Sequence, residues 1–153
     1  MALYIVQHGL SLPKGEDPEK GLSPQGIEDV NRIARVARNY GVVVERIQHS
    51  GKKRARQTAD LLAAVLEPAK GLQEIADIKP MDDVAEFAAR VNFAADIMVV
   101  GHLPFLERLI SFLITGNQDP ILFKLQNGGI LCLDRIENSD TPAIKWALMP
   151  IVA

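Results

Sequence analysis

The sequence predicts an α/β fold: a three-layer α/β/α sandwich on a mixed, mostly parallel sheet of about six strands. Three observations carry this. Short apolar runs alternate with helix-period segments along the chain, the pattern of strands that return through helices. Residues 3–6 (Leu-Tyr-Ile-Val) and 97–100 (Ile-Met-Val-Val) are continuous apolar runs, as buried strands are. The last two strand-like runs, 130–134 and 144–149, have only a polar turn at 138–142 between them, so they should pair antiparallel.

Each element has its own local signal. After the first strand, residues 11–23 hold Pro13, Gly15, Pro18 and Gly21 and read as a mobile surface loop. Ser23 and Pro24 open a helix as N-cap and first helical residue. Ile27, Val30, Ile33, Ala34 and Ala37 then recur at helical spacing until Gly41 stops it. Residues 46–49 are the second strand. Residues 52–66 form a second helix with Ala55, Thr58, Ala59, Leu62 and Leu66 as its buried stripe, closed by Pro68. A weak strand falls at 73–76. Asp82 or Asp83 caps a third helix reaching about Asn92. Residues 96–100 are the clearest strand, and 104–115 a fourth helix stopped by Gly116.

Composition narrows the class. The chain has 153 residues, 48% hydrophobic and 24% charged, so one globular domain spanning 1–153 is expected rather than disorder. The net charge of −2 argues against a nucleic-acid partner. Cys132 is the only cysteine, so no intramolecular disulfide or cysteine-based zinc site can form. No run of about 18 apolar residues suggests a membrane span, and the first residues lack a signal-peptide pattern, so the expected location is cytoplasmic.

Ligands of open α/β sheets bind beyond the carboxyl ends of the strands. Three predicted strands end in chemically able residues: Gln7-His8-Gly9, His49-Ser50, and Gly101-His102. A histidine after one strand is an ordinary structural residue. Two on separate strand ends, each beside a glycine that permits close backbone approach, make a pocket. A basic helix start follows the second strand, with Lys52, Lys53, Arg54 and Arg56. Cations there oppose the helix dipole, a conflict that a bound anion resolves. Phosphate is the natural guest. Arg54 and Thr58 share a helix face, and Arg56 points to solvent. The spacings of His8, His49 and His102 match no metal motif, so no metal is expected. Asn127-Gly128-Gly129 reads as a turn, Trp146 as packing, and His49 as a strand-end residue.

These residues resemble the histidine phosphatase (phosphoglycerate mutase-like) superfamily, most closely its SixA-type phosphohistidine phosphatase branch. The carrying segments are Gln7-His8-Gly9 after a strand, Leu22-Ser23-Pro24-Gln25-Gly26 at a helix start, and the run from Ser50 through Arg54, Ala55, Gln57 and Thr58 to Ala59. Gly101-His102-Leu103-Pro104 after a strand completes the set. The resemblance implies the phosphoglycerate mutase-like fold and phosphatase activity without a cofactor. It implies that His8 is the nucleophile, forming a covalent phosphohistidine. Arg54 would clamp the phosphoryl oxygens and His102 would donate to them, with Gln7 and Gly9 completing the phosphate contacts. The implied substrate is phosphohistidine on a protein partner, such as a histidine-containing phosphotransfer domain.

Two departures shape the alternatives. The family's leading Arg is Gln7 here, a neutral amide in place of a charged fork. Losing one charge-assisted contact costs on the order of 2–4 kcal/mol in a transition state unless another group compensates. Lys52 and Lys53 are candidate replacements. Without compensation, the chain is a catalytically impaired phosphate- or phosphoprotein-binding member. No clear general acid follows the third strand. Glu74 and Asp77 lie in that region and read as surface carboxylates. If either acted as an acid, the protein would be a small-molecule phosphomonoesterase.

Overall fold

The computed structural model describes residues 1–152. Strands β1 (Leu3–Gln7), β2 (Arg46–His49), β3 (Leu72–Glu74), β4 (Ile97–Gly101), β5 (Ile130–Arg135) and β6 (Pro142–Leu148) form one sheet, in the order β3-β2-β4-β1-β5-β6. Strands β3, β2, β4 and β1 run parallel; β5 is antiparallel to both β1 and β6. The predicted mixed six-stranded sandwich is thus the observed one.

Alternation along the strands fills two layers. Tyr4, Val6, Met98, Val100, Ile130 and Cys132 project to one face, beneath α1 (Pro24–Asn39) and α2 (Lys53–Leu66). Leu3, Ile5, Val99, Leu131 and Leu133 project to the other, beneath α3 (Val84–Ala88) and α4 (Phe105–Thr115). Burying each large side chain contributes about 1.5–3 kcal/mol. Both faces being covered is why the central strands lack polar alternation. Among the described residues, no helix is long and apolar enough to cross a membrane.

Several expectations shift. β1 extends to Gln7, which pairs with Gly101. β3 covers 72–74 rather than 73–76, although Ile75 N–H still donates to the His49 carbonyl at 2.9 Å. The third helix starts as expected, with Asp83 capping Ala85 N–H, but ends at Ala88. Asn92 then accepts from Ala94 N–H and opens a separate 3-10 turn at Phe93–Ala95, so its side chain competes with helix continuation. Ile27 is 39% exposed, outside the buried stripe. Gly26 holds that place instead, because α1 rests directly on the Leu10 carbonyl.

The 11–23 loop is tied down at several points. Ser11 and Leu22 form a β-bridge at its root, and Leu12 N–H donates to the Gly21 carbonyl at 2.8 Å. Asp17 accepts from the Glu19 and Gly21 N–H groups and pairs with Lys53 Nζ at 2.8 Å. Leu22 N–H donates to Gln57 Oε1 at 2.7 Å. The loop is therefore fastened to the first two turns of α2.

Gly26→Ala is a sign test of this packing. In an ordinary helix it would stabilise by about 1 kcal/mol. Here the added Cβ would meet the Leu10 carbonyl oxygen inside van der Waals contact, a backbone group that cannot swing aside. The expected result is destabilisation of about 1–3 kcal/mol in urea unfolding; a gain in stability would contradict the contact.

Candidate active site

Strands β1, β4 and β2 are adjacent and parallel, so their carboxyl ends share one edge of the sheet. That register brings together residues far apart in sequence. His8 follows β1, His102 follows β4, and Ser50 follows β2. The His8 and His102 rings lie 5.1 Å apart, tilted by 47°.

His8 is held in one tautomer. Its Nδ1 lies 2.8 Å from the Gly9 carbonyl oxygen. A carbonyl only accepts, so Nδ1 carries the proton and Nε2 keeps its lone pair. Burial pushes the His8 pKa down to about 4; the Gly9 carbonyl opposes this, and the Arg54 and Lys20 charges add to it. The ring is therefore neutral near pH 7, the state in which Nε2 is a nucleophile.

The backbone around His8 is pinned from three sides. His8 N–H donates to the Gly101 carbonyl at 3.0 Å. Gly9 N–H donates to Thr58 Oγ1 at 2.8 Å, and that hydroxyl donates to the Arg54 carbonyl at 2.7 Å. Thr58 thus joins the nucleophile's loop to the turn of α2 that carries Arg54. From the far side, Asn127 Nδ2 donates to the His8 carbonyl at 2.9 Å and Gly128 N–H to the Gln7 carbonyl at 2.9 Å. Gly128 has φ +81°, and its Cα region lies against Gly9 and Val30, so the turn needs glycine.

His102 is 2% exposed, and burial followed by the His8, Arg54 and Lys52 charges pushes its pKa down to about 3. Its Nε2 is 2.6 Å from Ser50 Oγ, while its Nδ1 is buried with no hydrogen-bond partner. Gln7 Oε1 is likewise buried and unpartnered. Arg54 sits in the first turn of α2, half-buried, and desolvation lowers its pKa. No side chain caps the N-terminus of α2. Its first amides and Arg54 favour an anion there.

The other expected residues fall as follows. Arg56 is exposed. His49 is 7% exposed, and its Nδ1 accepts from Gly51 N–H at 3.1 Å, shaping the turn that presents Ser50. Lys53 is engaged by Asp17, which removes it as a replacement for the missing arginine. Glu74 lies against Gly51, beside Ser50; Asp77 pairs with Arg90 at 3.9 Å. Trp146 packs on Tyr4 with ring centroids 5.8 Å apart. Sequence alone assigns Ser50 no separate role, and it favours a simple turn over a pocket-rim role for Asn127-Gly128-Gly129. Ser50's position after a strand was the available signal; Asn127's contact with the residue 119 positions away had none. Recesses of about 410 and 460 Å³ lie elsewhere and touch none of His8, Arg54 or His102. Chemistry, not volume, locates the site.

One edge of the α/β sandwich thus gathers a neutral, tautomer-fixed histidine, a second buried histidine and an arginine, groups able to take up an oxyanion. Comparison with known proteins agrees. No protein-family model matches the chain. It is 24% identical over 156 residues to phosphohistidine phosphatase SixA of Escherichia coli K12, covering 98% of this chain and 94% of that protein. It is 31% identical over 144 residues to an uncharacterized protein of Picosynechococcus, covering 87% and 84%. The structure of the protein histidine phosphatase SixA complexed with tungstate superposes with a TM-score of 0.82 at 22% identity, covering 98% and 97%. The chain is thus similar in sequence to a SixA phosphohistidine phosphatase and shares the phosphoglycerate mutase-like α/β fold of the SixA structures.

The lowered histidine pKa values have a stability consequence with a definite sign. Between about pH 6.5 and pH 3–4 the unfolded chain binds protons that the folded His8 and His102 refuse. Stability from these groups is present above pH 6.5 and is lost as pH falls, by up to about 1.4 kcal/mol per pH unit per histidine. His102→Asn should flatten that slope in denaturant titrations at pH 4–7. An unchanged slope would mean that His102 is not held neutral.

Proposed function

We propose that this protein is a phosphohistidine phosphatase that acts on a phosphorylated protein partner, such as a histidine-containing phosphotransfer domain. The observation that carries the reading is the 2.8 Å bond from His8 Nδ1–H to the Gly9 carbonyl, which leaves Nε2 as the free, neutral nucleophile. In this reading Nε2 attacks phosphorus in line with the departing imidazole nitrogen, and a phosphohistidine forms on His8. Arg54 and the uncapped start of α2 hold the equatorial oxygens, and His102 donates to them. Gln7 and Gly9 border the same pocket. Water then hydrolyses the intermediate.

The substrate class is supported by the leaving group. A phosphoramidate bond is weaker than a phosphate ester, so a site without an evident general acid suits it. The 11–23 loop that follows the nucleophile is pinned to α2.

The test is phosphate release from a phosphorylated phosphotransfer domain and from an aryl phosphate ester, with wild type, His8→Ala and Gln7→Arg. The expected result is wild-type turnover on the protein substrate and a loss of at least about 10³-fold in His8→Ala. The acid limb of kcat/KM should fall near pH 4 rather than near 6.5, because His8 stays deprotonated to about that value. A silent wild type restored by Gln7→Arg would instead identify a binding member retired from catalysis.

One observation favours a second reading as a small-molecule phosphomonoesterase: the Glu74 carboxylate packs over Gly51, next to Ser50. If it served as the acid, Glu74→Gln would lower aryl ester hydrolysis by about 10²-fold or more while sparing the phosphohistidine substrate. Ester hydrolysis that survives both Glu74→Gln and Asp77→Asn removes this reading.

A further inference from the structure

We propose that Ser50 is a positioning residue: its hydroxyl donates to Nε2 of His102 and so fixes that ring as the tautomer with its proton on Nδ1. The inference deepens the proposed function and rests on it, because it concerns the histidine that would donate to the phosphoryl group.

Proton counting sets the problem. Burial keeps the His102 ring neutral at pH 7. A neutral imidazole has one N–H donor and one lone-pair acceptor. Which nitrogen is which decides what the ring can do, because an N–H stabilises a phosphoryl oxygen and a lone pair repels it. His8 has its proton placed by the Gly9 carbonyl. No carbonyl does the same for His102. Among the described residues its one side-chain partner is Ser50, whose Oγ lies 2.6 Å from Nε2.

A hydroxyl both donates and accepts, so that distance leaves the direction of the bond open. The other contacts of Ser50 give the direction. Its Oγ already accepts from Lys52 N–H at 3.4 Å and makes no further hydrogen bond among the described residues. If Nε2 carried the proton, Oγ would accept twice and its own hydrogen would have no protein acceptor. His102 Nδ1 would then be a bare lone pair, buried without a donor. If Ser50 donates instead, Oγ and Nε2 are both satisfied. One group is then left over, a buried Nδ1–H with no acceptor, on a ring 2% exposed. Beside His8, 5.1 Å away between ring centroids, an incoming oxyanion can satisfy an unpaired donor but not an unpaired acceptor.

The turn that carries Ser50 is built to hold it. Gly51 N–H donates to His49 Nδ1 at 3.1 Å, and Ile75 N–H to the His49 carbonyl at 2.9 Å. Gly51 takes φ +86°, in the left-handed region, and the Glu74 side chain lies against it. Strands β2 and β4 are neighbours, with His49 opposite Val100, so Ser50 and His102 leave adjacent strand ends. In the sheet order, β4 lies between β2 and β1, which places His102 between Ser50 and His8. Ser50 therefore acts through His102 and need not touch the phosphoryl group itself.

The test reads the tautomer and the binding separately. Long-range proton–nitrogen correlation NMR on nitrogen-15-labelled protein at pH 7 distinguishes protonated from unprotonated ring nitrogens. It is applied to wild type, Ser50→Ala and Ser50→Thr, with His102→Ala to assign the signals. Tungstate affinity is measured by calorimetry for the same proteins and for the Ser50→Ala, His102→Ala double variant, and melting temperatures confirm folding. The expected wild-type ring has a protonated Nδ1 and an unprotonated Nε2. Ser50→Ala should mix the two tautomers of His102 and weaken tungstate binding by about tenfold. Ser50→Thr, which keeps the hydroxyl, should preserve both tautomer and affinity. Without His102, Ser50→Ala should cost less than about threefold. A wild-type ring protonated on Nε2 overturns the proposal even if no variant folds. An unchanged tautomer or affinity in Ser50→Ala, an equal loss with and without His102, or a wild type that binds no tungstate also overturns it. A wild type that shows the tautomer and the coupling but releases no phosphate from a phosphohistidine protein would defeat the proposed activity and leave the role of Ser50 standing.

Discussion

The bond from His8 Nδ1–H to the carbonyl of the next residue, at 2.8 Å, is the contact on which the proposed chemistry depends. An imidazole has two nitrogens and, when neutral, one proton. A free ring would distribute that proton between them. The Gly9 carbonyl removes the choice and directs Nε2 outward. Burial then keeps the ring unprotonated well below its usual range. The rest of the site maintains this arrangement. Thr58 holds the Gly9 amide, Asn127 the His8 carbonyl, and Gly101 accepts the His8 amide. Three remote parts of the chain thus fix the two peptides that flank the His8 side chain.

The fold makes that convergence geometrically cheap. Parallel strands β1, β4 and β2 deliver His8, His102 and Ser50 to one edge with no side chain needing an unusual reach. Helix α2 follows β2 directly and brings Arg54 and its uncapped amides to the same edge. The main cost is burying polar atoms without partners. Gln7 Oε1 and His102 Nδ1 are the two buried side-chain atoms left unsatisfied among the described residues. Each such group costs about 1–3 kcal/mol. Both belong to the site, which is where a protein tolerates such a cost when function requires it.

Much of this was legible in the sequence because it is written locally. The apolar runs gave the strands, and Ser23-Pro24 and Gly116 bounded helices. His8 and His102 announced themselves by following strands beside glycines. Arg54 and Thr58 shared a face by helical spacing alone, and Thr58 does link Arg54's turn to Gly9. What stayed hidden is what depends on distant residues. Nothing near residue 127 signals that its amide holds the His8 carbonyl, and the 2.6 Å contact between Ser50 and His102 joins two loops across β2 and β4. The basic run was misread in one respect: Lys53 has a partner in Asp17, which only the folded 11–23 loop reveals. Ile27 followed the helical period but lost its buried place to a backbone contact at Gly26, a steric event no hydrophobic pattern encodes.

The most direct test of the account is the identity of the covalent intermediate. Rapid quench of the protein with a phosphohistidine substrate, followed by phosphorus NMR of the denatured chain, reports which nitrogen of which histidine is phosphorylated. The account predicts a phosphoryl group on Nε2 of His8, absent in His8→Ala. Phosphorylation at Nδ1, on His102, or no phosphoenzyme alongside measurable turnover would contradict it.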